Sequence, residues 1–396
     1  MGGFRSDRMP RILRDSMKTI QYNNNRNMVL YAIIVFMVGY SIFVSLLGVA
    51  PTFIMQVIGL VICLMWAANY VMSGSKTHFI NMGLFFFSML FVYSLLSEFE
   101  NNQFRCFTYS ILITVPFYMF RFRPKQINVL FWLLCIISIS SEFLNLHVGR
   151  EESGEGYYGG GYFALVALPV GLYNLRNSKE WMKALWCMLI FALTLYAAKR
   201  GDILGCMVAV SLYYISYLFK GKKRNKIWLI LVVVLMALAF YYIYETILQN
   251  YEVLQTRQER TEEGYMSQRD VIYLSLWSIW VESDLMHQLF GYGINAPFNL
   301  IGIQAHNDWL EFLLDMGLIG VLLYLSLFIS LVLSFRRKYV PAELTPIFMA
   351  IIGIWIVKSA FSMFMFSIPT IMLTMLVGYM LNPNVNHFAI AKPRKA

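Results

Sequence analysis

The sequence predicts an all-α polytopic membrane protein with about twelve transmembrane helices in a single membrane-embedded domain, residues 1–396. Hydrophobic residues make up 59% of the chain and charged residues only 14%, a composition that excludes an ordinary soluble domain. The apolar residues recur in stretches of roughly 15 to 22, which matches the length of helix that crosses a bilayer. The candidate spans are roughly 28–48, 51–72, 78–97, 105–120, 127–147, 161–177, 181–198, 202–219, 227–247, 309–335, 343–360 and 362–381.

The distribution of lysine and arginine predicts the orientation of these spans. If the N-terminus is cytoplasmic, the inner segments carry 24 of the 32 basic residues. Cytoplasmic connections retain positive charge during insertion, so both termini are predicted to be cytoplasmic. The net charge of +10 is dispersed among short inner loops that face anionic lipid, and it therefore does not indicate nucleic-acid binding.

One large segment, residues 248–308, connects the ninth and tenth predicted spans, and the parity of the spans predicts that it lies on the outer face. It is called here the outer segment. Ser267 and Asp270 form an S-x-x-D capping pattern that predicts the start of a helix. The residues that follow are apolar enough for an amphipathic helix on the outer membrane surface. Gly291 and Gly293 then predict a turn before the chain returns to the membrane.

The pair His306-Asn307 precedes a twenty-residue run without charge, from Met316 to Phe335, and thus places an imidazole where membrane meets water. On a continuous helix His306 shares a stripe with Gly317 and Gly320. The glycines are expected to let a neighbouring helix approach below the histidine. Continued helical spacing puts three acidic residues on the opposite stripe: Asp308, Glu311 and Asp315. Glu311 and Asp315 are expected to pair with basic groups elsewhere.

Several other ionisable residues are predicted to lie at the outer face or inside spans. Lys199 and Arg200 form a short outer turn, where two cations so near hydrocarbon need an anionic partner. Arg150 precedes the Gly-rich stretch 153–161 in another outer loop. Glu142 and Lys358 lie within predicted spans and also require a partner or an aqueous cavity. Alternatively, Lys358 adds a cation to a ligand site at the outer end of its span.

These polar residues suit an amphiphilic substrate that carries phosphate. Arginines such as Arg200 and Arg269 can bind a diphosphate through bidentate hydrogen bonds. A neutral histidine can take a proton from a sugar hydroxyl. Guanidinium groups can stabilise a leaving diphosphate, so no metal and no other cofactor is required. The five cysteines form no C-x-x-C pair that would indicate a zinc site.

The stretch of residues 305–320, AHNDWLEFLLDMGLIG, resembles the signature of the O-antigen ligase and O-antigen polymerase superfamily. In that superfamily a His-Asn pair opens a helix containing G-x-x-G. Lys199-Arg200-Gly201 is similar to the Arg-Gly motif at the start of a span. Arg269, followed by Trp277 and the 291–293 turn, is similar to the loop motif, and the resemblance covers roughly residues 195–335.

The resemblance implies a metal-independent, inverting glycosyltransferase in the bacterial inner membrane, with its active site facing the periplasm. It implies that His306 is the catalytic residue and that Arg200 and Arg269 bind the diphosphate of an undecaprenyl-diphosphate-linked glycan donor. The residues expected to support this site are Lys199, Asn307, Arg150 and Lys358. The acceptor is another glycan in a polymerase and lipid A core in a ligase, and membrane lipids surround both.

The shared motifs do not separate a polymerase from a ligase. Arg150, followed eleven positions later by Gly161, resembles the R-x10-G pattern of some polymerase outer loops, which favours a polymerase slightly. Two other classes remain open: a transporter of lipid-linked oligosaccharide, and a structural scaffold for polysaccharide assembly. Transporters often show duplicated halves and broken helices near the membrane midplane. The polar residues here gather at one face, which favours an enzyme.

Overall fold

The residues described by the computed structural model are 64, 67–68, 70–71, 77–95, 107, 109–119, 122, 124–153, 161–197, 200–220, 269–336, 340–365, 367, 369–383 and 385. The side chains of 94–95, 141–153, 200, 218–220 and 336 fall outside the described part. The predicted spans 28–48 and 227–247, most of span 51–72, and outer residues 248–268 also lie outside it.

The described residues form helices, and no strand occurs within those ranges. In chain order the helices are α1 (His78–Leu95), α2 (Thr114–Met119), α3 (Pro124–Ser153), α4 (Tyr162–Asn174), α5 (Glu180–Tyr196), α6 (Arg200–Lys220), α7 (Arg269–Glu282), α8 (Leu285–Phe290), α9 (Ala296–Ile301), α10 (Asp308–Arg336), α11 (Thr345–Phe361) and α12 (Thr370–Met380).

The predicted all-helical fold is confirmed for the described residues. Two stretches, Asp308–Phe335 and Ala342–Phe361, are long and apolar enough to cross a membrane, and shorter apolar helices accompany them. Along α10 the apolar residues Leu318, Leu322, Leu325, Ile329 and Leu333 are exposed. This spacing puts them on one side of the helix, as is typical of lipid contact. The number of spans and their orientation stay predictions.

Helices α6 and α11 form the most extensive helix pair in the described structure. A Cβ added at Gly353 of α11 would lie 3.1 Å from the Cα of Ala209 in α6. Small residues at this crossing allow the two backbones to approach closely. The same pairing brings the first turn of α6 beside the last turn of α11, where the candidate site lies.

Helix α10 is broken at Gly317, whose φ of 64° and ψ of −157° are not helical. The break removes the helical hydrogen bonds that the carbonyls before it would accept. The 291–293 turn supplies replacements, because Tyr292 N donates to Leu314 O at 2.7 Å and Gly293 N donates to Asp315 O at 3.0 Å. The outer segment is therefore hydrogen-bonded to the break.

The glycines at this contact leave no room for side chains. A Cβ added at Gly291 would lie 2.4 Å from the carbonyl carbon of Asp315, and one added at Gly317 would lie 2.3 Å from that of Leu289. The predicted turn at Gly291 and Gly293 is confirmed, since both have positive φ. The outer segment also contains the predicted helix, α7, although its capping residue Ser267 lies outside the described residues.

The predicted continuous stripe from His306 through Gly317 and Gly320 is wrong. His306 lies two residues before α10 with a φ of 50°, and the break at Gly317 interrupts the helical spacing. Gly317 accommodates the end of α8 in the outer segment, not a neighbouring membrane helix. A Cβ at Gly320 would lie 2.6 Å from the carbonyl oxygen of Phe312 in its own chain. Gly317 therefore provides the backbone conformation of the break, and the lack of a side chain at Gly320 leaves room for the Phe312 carbonyl.

Gly317→Ala is expected to destabilise the protein far more than Gly302→Ala. Gly302 also has a positive φ, 75°, but nothing lies within 4 Å of an added Cβ. The control therefore measures backbone strain alone, about 1 kcal/mol. Gly317→Ala adds the clash with Leu289 and a backbone conformation that is almost exclusive to glycine, and we expect a total of roughly 3 kcal/mol or more.

The measurement is the apparent unfolding temperature of both variants in detergent. Equal shifts for the two alanine variants would contradict the close packing of α8 against the break.

Candidate active site at the end of helix α11

The last carbonyls of α11 accept hydrogen bonds from two of the predicted motifs. The Asn307 side-chain amide donates to Ala360 O at 2.8 Å, and the Arg269 guanidinium donates to Phe361 O. A helix end leaves its final carbonyls without intrahelical partners, so donors from other segments are required there. The residues Lys358–Phe361, called here the α11 terminus, thus bring together segments that are distant in sequence.

The third predicted motif lies at the same place. A Cβ added at Gly201 would lie 3.9 Å from the carbonyl oxygen of Phe361. Gly201 follows Arg200, which is the first residue of α6. The side chain of Arg200 and the whole of Lys199 lie outside the described residues. The backbone that carries Arg200 is therefore adjacent to the carbonyl that Arg269 contacts.

His306 is held by contacts on both sides of a left-handed backbone conformation. Its φ of 50° is uncommon for a residue with a side chain. The preceding amide, Ala305 N, donates to Glu311 Oε2 at 3.0 Å, and Tyr273 Oη donates to His306 O at 3.1 Å. Tyr273 is one turn after Arg269 in α7, so that helix connects the arginine to the histidine.

Burial raises the pKa of Tyr273, while the charge of Arg269 and a hydrogen bond with the Asn307 side chain act in the opposite direction. A phenol with a raised pKa stays protonated at neutral pH and remains a hydrogen-bond donor. Its bond to the His306 carbonyl is therefore maintained across the physiological range.

Asn307 links the start of α10 to the α11 terminus. Its Oδ1 accepts from Trp309 N at 2.9 Å and from Leu310 N at 3.1 Å, which caps α10. Its Nδ2 donates to Ala360 O. The two ends of a single amide therefore satisfy the start of one helix and the end of another.

Asp308 is a residue of this site that the sequence analysis did not assign. Its buried carboxylate accepts from Phe364 N at 3.0 Å, from Met365 N at 3.2 Å and from Tyr324 Oη at 2.7 Å. The Tyr324 hydroxyl in turn accepts from Trp355 Nε1 at 2.7 Å. Asp308 thereby holds the chain that leaves α11. The only sign of this role in the sequence was the position of Asp308 directly after His306-Asn307.

The other two acidic residues of α10 also bind backbone amides, where the sequence analysis expected basic side chains. Glu311 accepts from Ala305 N, and Asp315 Oδ1 accepts from Ala296 N at 2.8 Å at the start of α9. Both carboxylates are buried. Glu311 ties the residues just before α10 to that helix, and Asp315 ties the start of α9 to it. Both contacts hold the chain around His306, and so they position His306 indirectly.

Lys358 has a buried anionic partner. Its Nζ lies 2.6 Å from Asp202 Oδ1 and 4.1 Å from the centre of the Tyr162 ring. The predicted need of Lys358 for a partner is met by Asp202, and its supporting role towards a ligand stays a prediction. The side chains of Arg150 and Glu142 lie outside the described residues, although both belong to α3.

The described residues contain no group of three or more histidine, cysteine, aspartate or glutamate side chains arranged to hold a metal ion. The polar groups that do converge at the α11 terminus are a guanidinium, a carboxamide and the segment carrying an imidazole. A guanidinium has five N–H donors, so a bond to one carbonyl leaves others for an anion. The arrangement can therefore bind an anionic group beside the segment that carries His306.

Residues 184–325 match the model of a protein family described as O-antigen ligase. The predicted resemblance to that superfamily is confirmed over these residues. The matched segment runs from α5 into α10 and includes Arg200, Arg269 and His306. The family implies an integral membrane protein of bacteria that performs glycosyl transfer with lipid-linked glycan. A comparison with curated proteins found no match.

Asn307→Ala is expected to lower stability by roughly 2 kcal/mol, because it removes a helix cap worth about 1 kcal/mol and the bond to Ala360. Asn307→Ser keeps a capping oxygen but cannot reach Ala360, so we expect a loss about half as large. Asn299→Ala is the control, since Asn299 is exposed on α9. Apparent unfolding temperatures should follow the order Asn299→Ala, Asn307→Ser, Asn307→Ala, from highest to lowest. A serine variant as unstable as the alanine variant would contradict the capping role.

Proposed function

We propose that the protein is a glycosyltransferase at the periplasmic face of the bacterial inner membrane, which transfers glycan from an undecaprenyl-diphosphate-linked donor to a sugar hydroxyl. On this proposal it is a polymerase of polysaccharide repeat units. The observation that carries the proposal is the binding of Arg269 and Asn307 to the consecutive carbonyls of Phe361 and Ala360. Through this contact Arg269, a candidate anion-binding residue, lies beside the segment that carries His306. Arg269 and His306 both belong to the region that matches the O-antigen ligase family.

In the proposed reaction His306 acts as the general base. The imidazole accepts the proton of the acceptor hydroxyl while that oxygen forms a bond to the anomeric carbon of the donor sugar. The bond from the anomeric carbon to the diphosphate oxygen breaks, and the diphosphate keeps its electron pair. Attack opposite the leaving group inverts the configuration at that carbon.

Arg269 and Arg200 are the proposed ligands of the leaving diphosphate. Guanidinium groups match phosphate oxygens through paired hydrogen bonds and stabilise the charge that develops as the bond breaks. We propose on this ground that the reaction needs no metal. The fixed end of α11 supports the assignment of Arg269. A side chain that is held in place before the donor binds loses less entropy on binding.

The rest of the protein is proposed to provide the membrane path to this site. We propose twelve spans with both termini in the cytoplasm, so that residues 248–308 form a periplasmic segment of a single domain. The lipid tail of the donor would lie among the apolar helices, with its diphosphate at the outer ends of α6 and α11.

Two variants test the assignment of roles in the purified full-length protein. His306→Ala should lower turnover by at least about 100-fold with little change in donor affinity, since it removes the base. Arg269→Ala should weaken donor binding roughly tenfold or more, and Arg269→Lys should fall between it and the wild type, because lysine lacks the paired donors. The measurements are turnover with donor and acceptor, and the dissociation constant for undecaprenyl diphosphate.

His287→Ala is the matched control for the histidine. His287 lies in the same outer segment, is partly exposed and pairs with Asp284 at 3.0 Å at the start of α8. It should leave both quantities unchanged. An active His306→Ala variant, or Arg269→Ala with normal donor affinity, would refute the corresponding role. A transporter would still move donor across liposomes after His306→Ala and would form no glycosidic bond.

The alternative activity within the same family is ligation of finished polymer to lipid A core. We favour the polymerase because Arg150 and Gly161 have the spacing of a polymerase outer-loop pattern. Deletion of the gene should then leave single repeat units on lipid A core. Long chains retained on the lipid carrier would instead identify a ligase, and gel electrophoresis of the extracted glycans separates these outcomes.

A further inference from the structure

Asp202 and Lys358 form an ion pair that is nearly excluded from solvent. The side chain of Lys358 is 2% exposed and that of Asp202 is 0% exposed, and their polar atoms are 2.6 Å apart. Removal of two charges from water costs more free energy than most such pairs recover, so a buried pair is weak evidence for a role in stability. The position of this pair in the fold therefore requires another explanation.

The pair joins the two helix ends that meet beside the candidate site. Asp202 is in the first turn of α6, two residues after Arg200, and Lys358 is in the last turn of α11, three residues before Phe361. An acidic residue is favourable at a helix N-terminus and a basic residue at a C-terminus. The salt bridge consequently fixes the start of α6 relative to the carbonyl that Arg269 contacts.

A third segment encloses the pair. A Cβ added at Gly161 would lie 2.6 Å from Asp202 Oδ2, so the backbone at the start of α4 covers that oxygen. The Tyr162 ring faces the Lys358 ammonium, and the Tyr162 hydroxyl lies 2.5 Å from Thr370 Oγ1. Asp202 Oδ2 has no hydrogen-bond partner among the described residues. The pair is therefore enclosed by protein, an arrangement that suits the positioning of other groups.

We propose that Asp202 and Lys358 are positioning residues, which hold the backbone of Arg200 against the α11 terminus so that its side chain can bind the donor diphosphate. This inference rests on the proposed function. It also distinguishes two roles for Lys358, because a lysine held by Asp202 acts through Arg200, whereas a lysine that binds the donor directly would compete with Asp202.

The chain contains a matched control for this pair. Lys183 lies 2.7 Å from Glu180, and Tyr217 both donates to Glu180 and places its ring 5.6 Å from the Lys183 ammonium. This group has the same three residue types, lysine, carboxylate and tyrosine, and Lys183 is also buried. Tyr217 is fifteen residues along α6 from Asp202, which corresponds to about 22 Å of helix. The control therefore tests a pair with a buried lysine and a partly exposed carboxylate, far from the candidate site.

The decisive variant is Asp202→Asn, which keeps the shape of the side chain and removes its charge. If the pair positions Arg200, Asp202→Asn and Lys358→Met should both raise KM for the lipid-linked donor and weaken undecaprenyl diphosphate binding, roughly 10- to 100-fold. If Lys358 binds the donor directly, Asp202→Asn should leave donor affinity unchanged or improve it. That second result would overturn the proposal.

Gly161→Ala gives an independent variant that changes no charge. Its added Cβ would displace Asp202, and the backbone at Gly161 is helical, with a φ of −37°, so alanine introduces no backbone strain. We expect KM for the donor to rise in this variant as well. It keeps the proposal testable if Lys358→Met does not fold.

Lys183→Met should lower the apparent unfolding temperature without changing KM. If Lys183→Met raises KM as much as Lys358→Met does, both pairs are merely structural and the proposal fails. The behaviour of the wild type separates this failure from that of the proposed function. An active wild type with unchanged KM in Asp202→Asn refutes the positioning role alone, whereas a wild type without donor binding or turnover refutes the proposed function itself.

Discussion

The candidate site depends on the unsatisfied carbonyls at the C-terminal end of helix α11. A helix that ends inside protein must obtain hydrogen-bond donors for its last carbonyls from other segments. Asn307 supplies one donor to Ala360, and Arg269 supplies another to Phe361. These bonds fix the start of α10 and the start of α7 to one point. The requirement for backbone hydrogen bonding therefore places segments side by side that are distant in sequence.

The three buried carboxylates of α10 extend the same principle. Asp308, Glu311 and Asp315 each accept hydrogen bonds from backbone amides of irregular segments near the candidate site. Irregular backbone inside a protein needs such partners, since an unpaired amide away from water is costly. In the sequence these acidic residues form one stripe of a predicted helix, on the side opposite His306. In the structure they hold the segments on which His306 and the chain after α11 lie.

The break at Gly317 explains how an outer segment can be attached firmly to a membrane helix. Interruption of the helix leaves the carbonyls of Leu314 and Asp315 without their usual partners, and the amides of Tyr292 and Gly293 bond to them. The absence of side chains at Gly291 and Gly317 allows the backbones to touch. The outer segment is therefore held at its glycine turn, and α7 is held through Arg269 and Tyr273.

The sequence by itself determined the helical class, the apolar character of the helices, the presence of α7 and the glycine turn. These features follow from local composition and spacing, which are written directly in the chain. It also showed the resemblance to the superfamily, because the His-Asn and Arg-Gly motifs are short and contiguous. It failed for the stripe through His306, since helical spacing assumes a continuous helix and glycine permits a break.

Only the tertiary structure decided which groups meet at the α11 terminus. The sequence pattern assigned residues 358–365 to the adjoining ends of two predicted spans, 343–360 and 362–381, and Asp308 to a polar stripe. Their roles depend on contacts with residues more than fifty positions away, such as the bonds from Phe364 and Met365 to Asp308 and the pairing of Lys358 with Asp202. Such pairings are set by how helices pack and by which backbone groups remain unsatisfied afterwards, and neither property is encoded in local spacing.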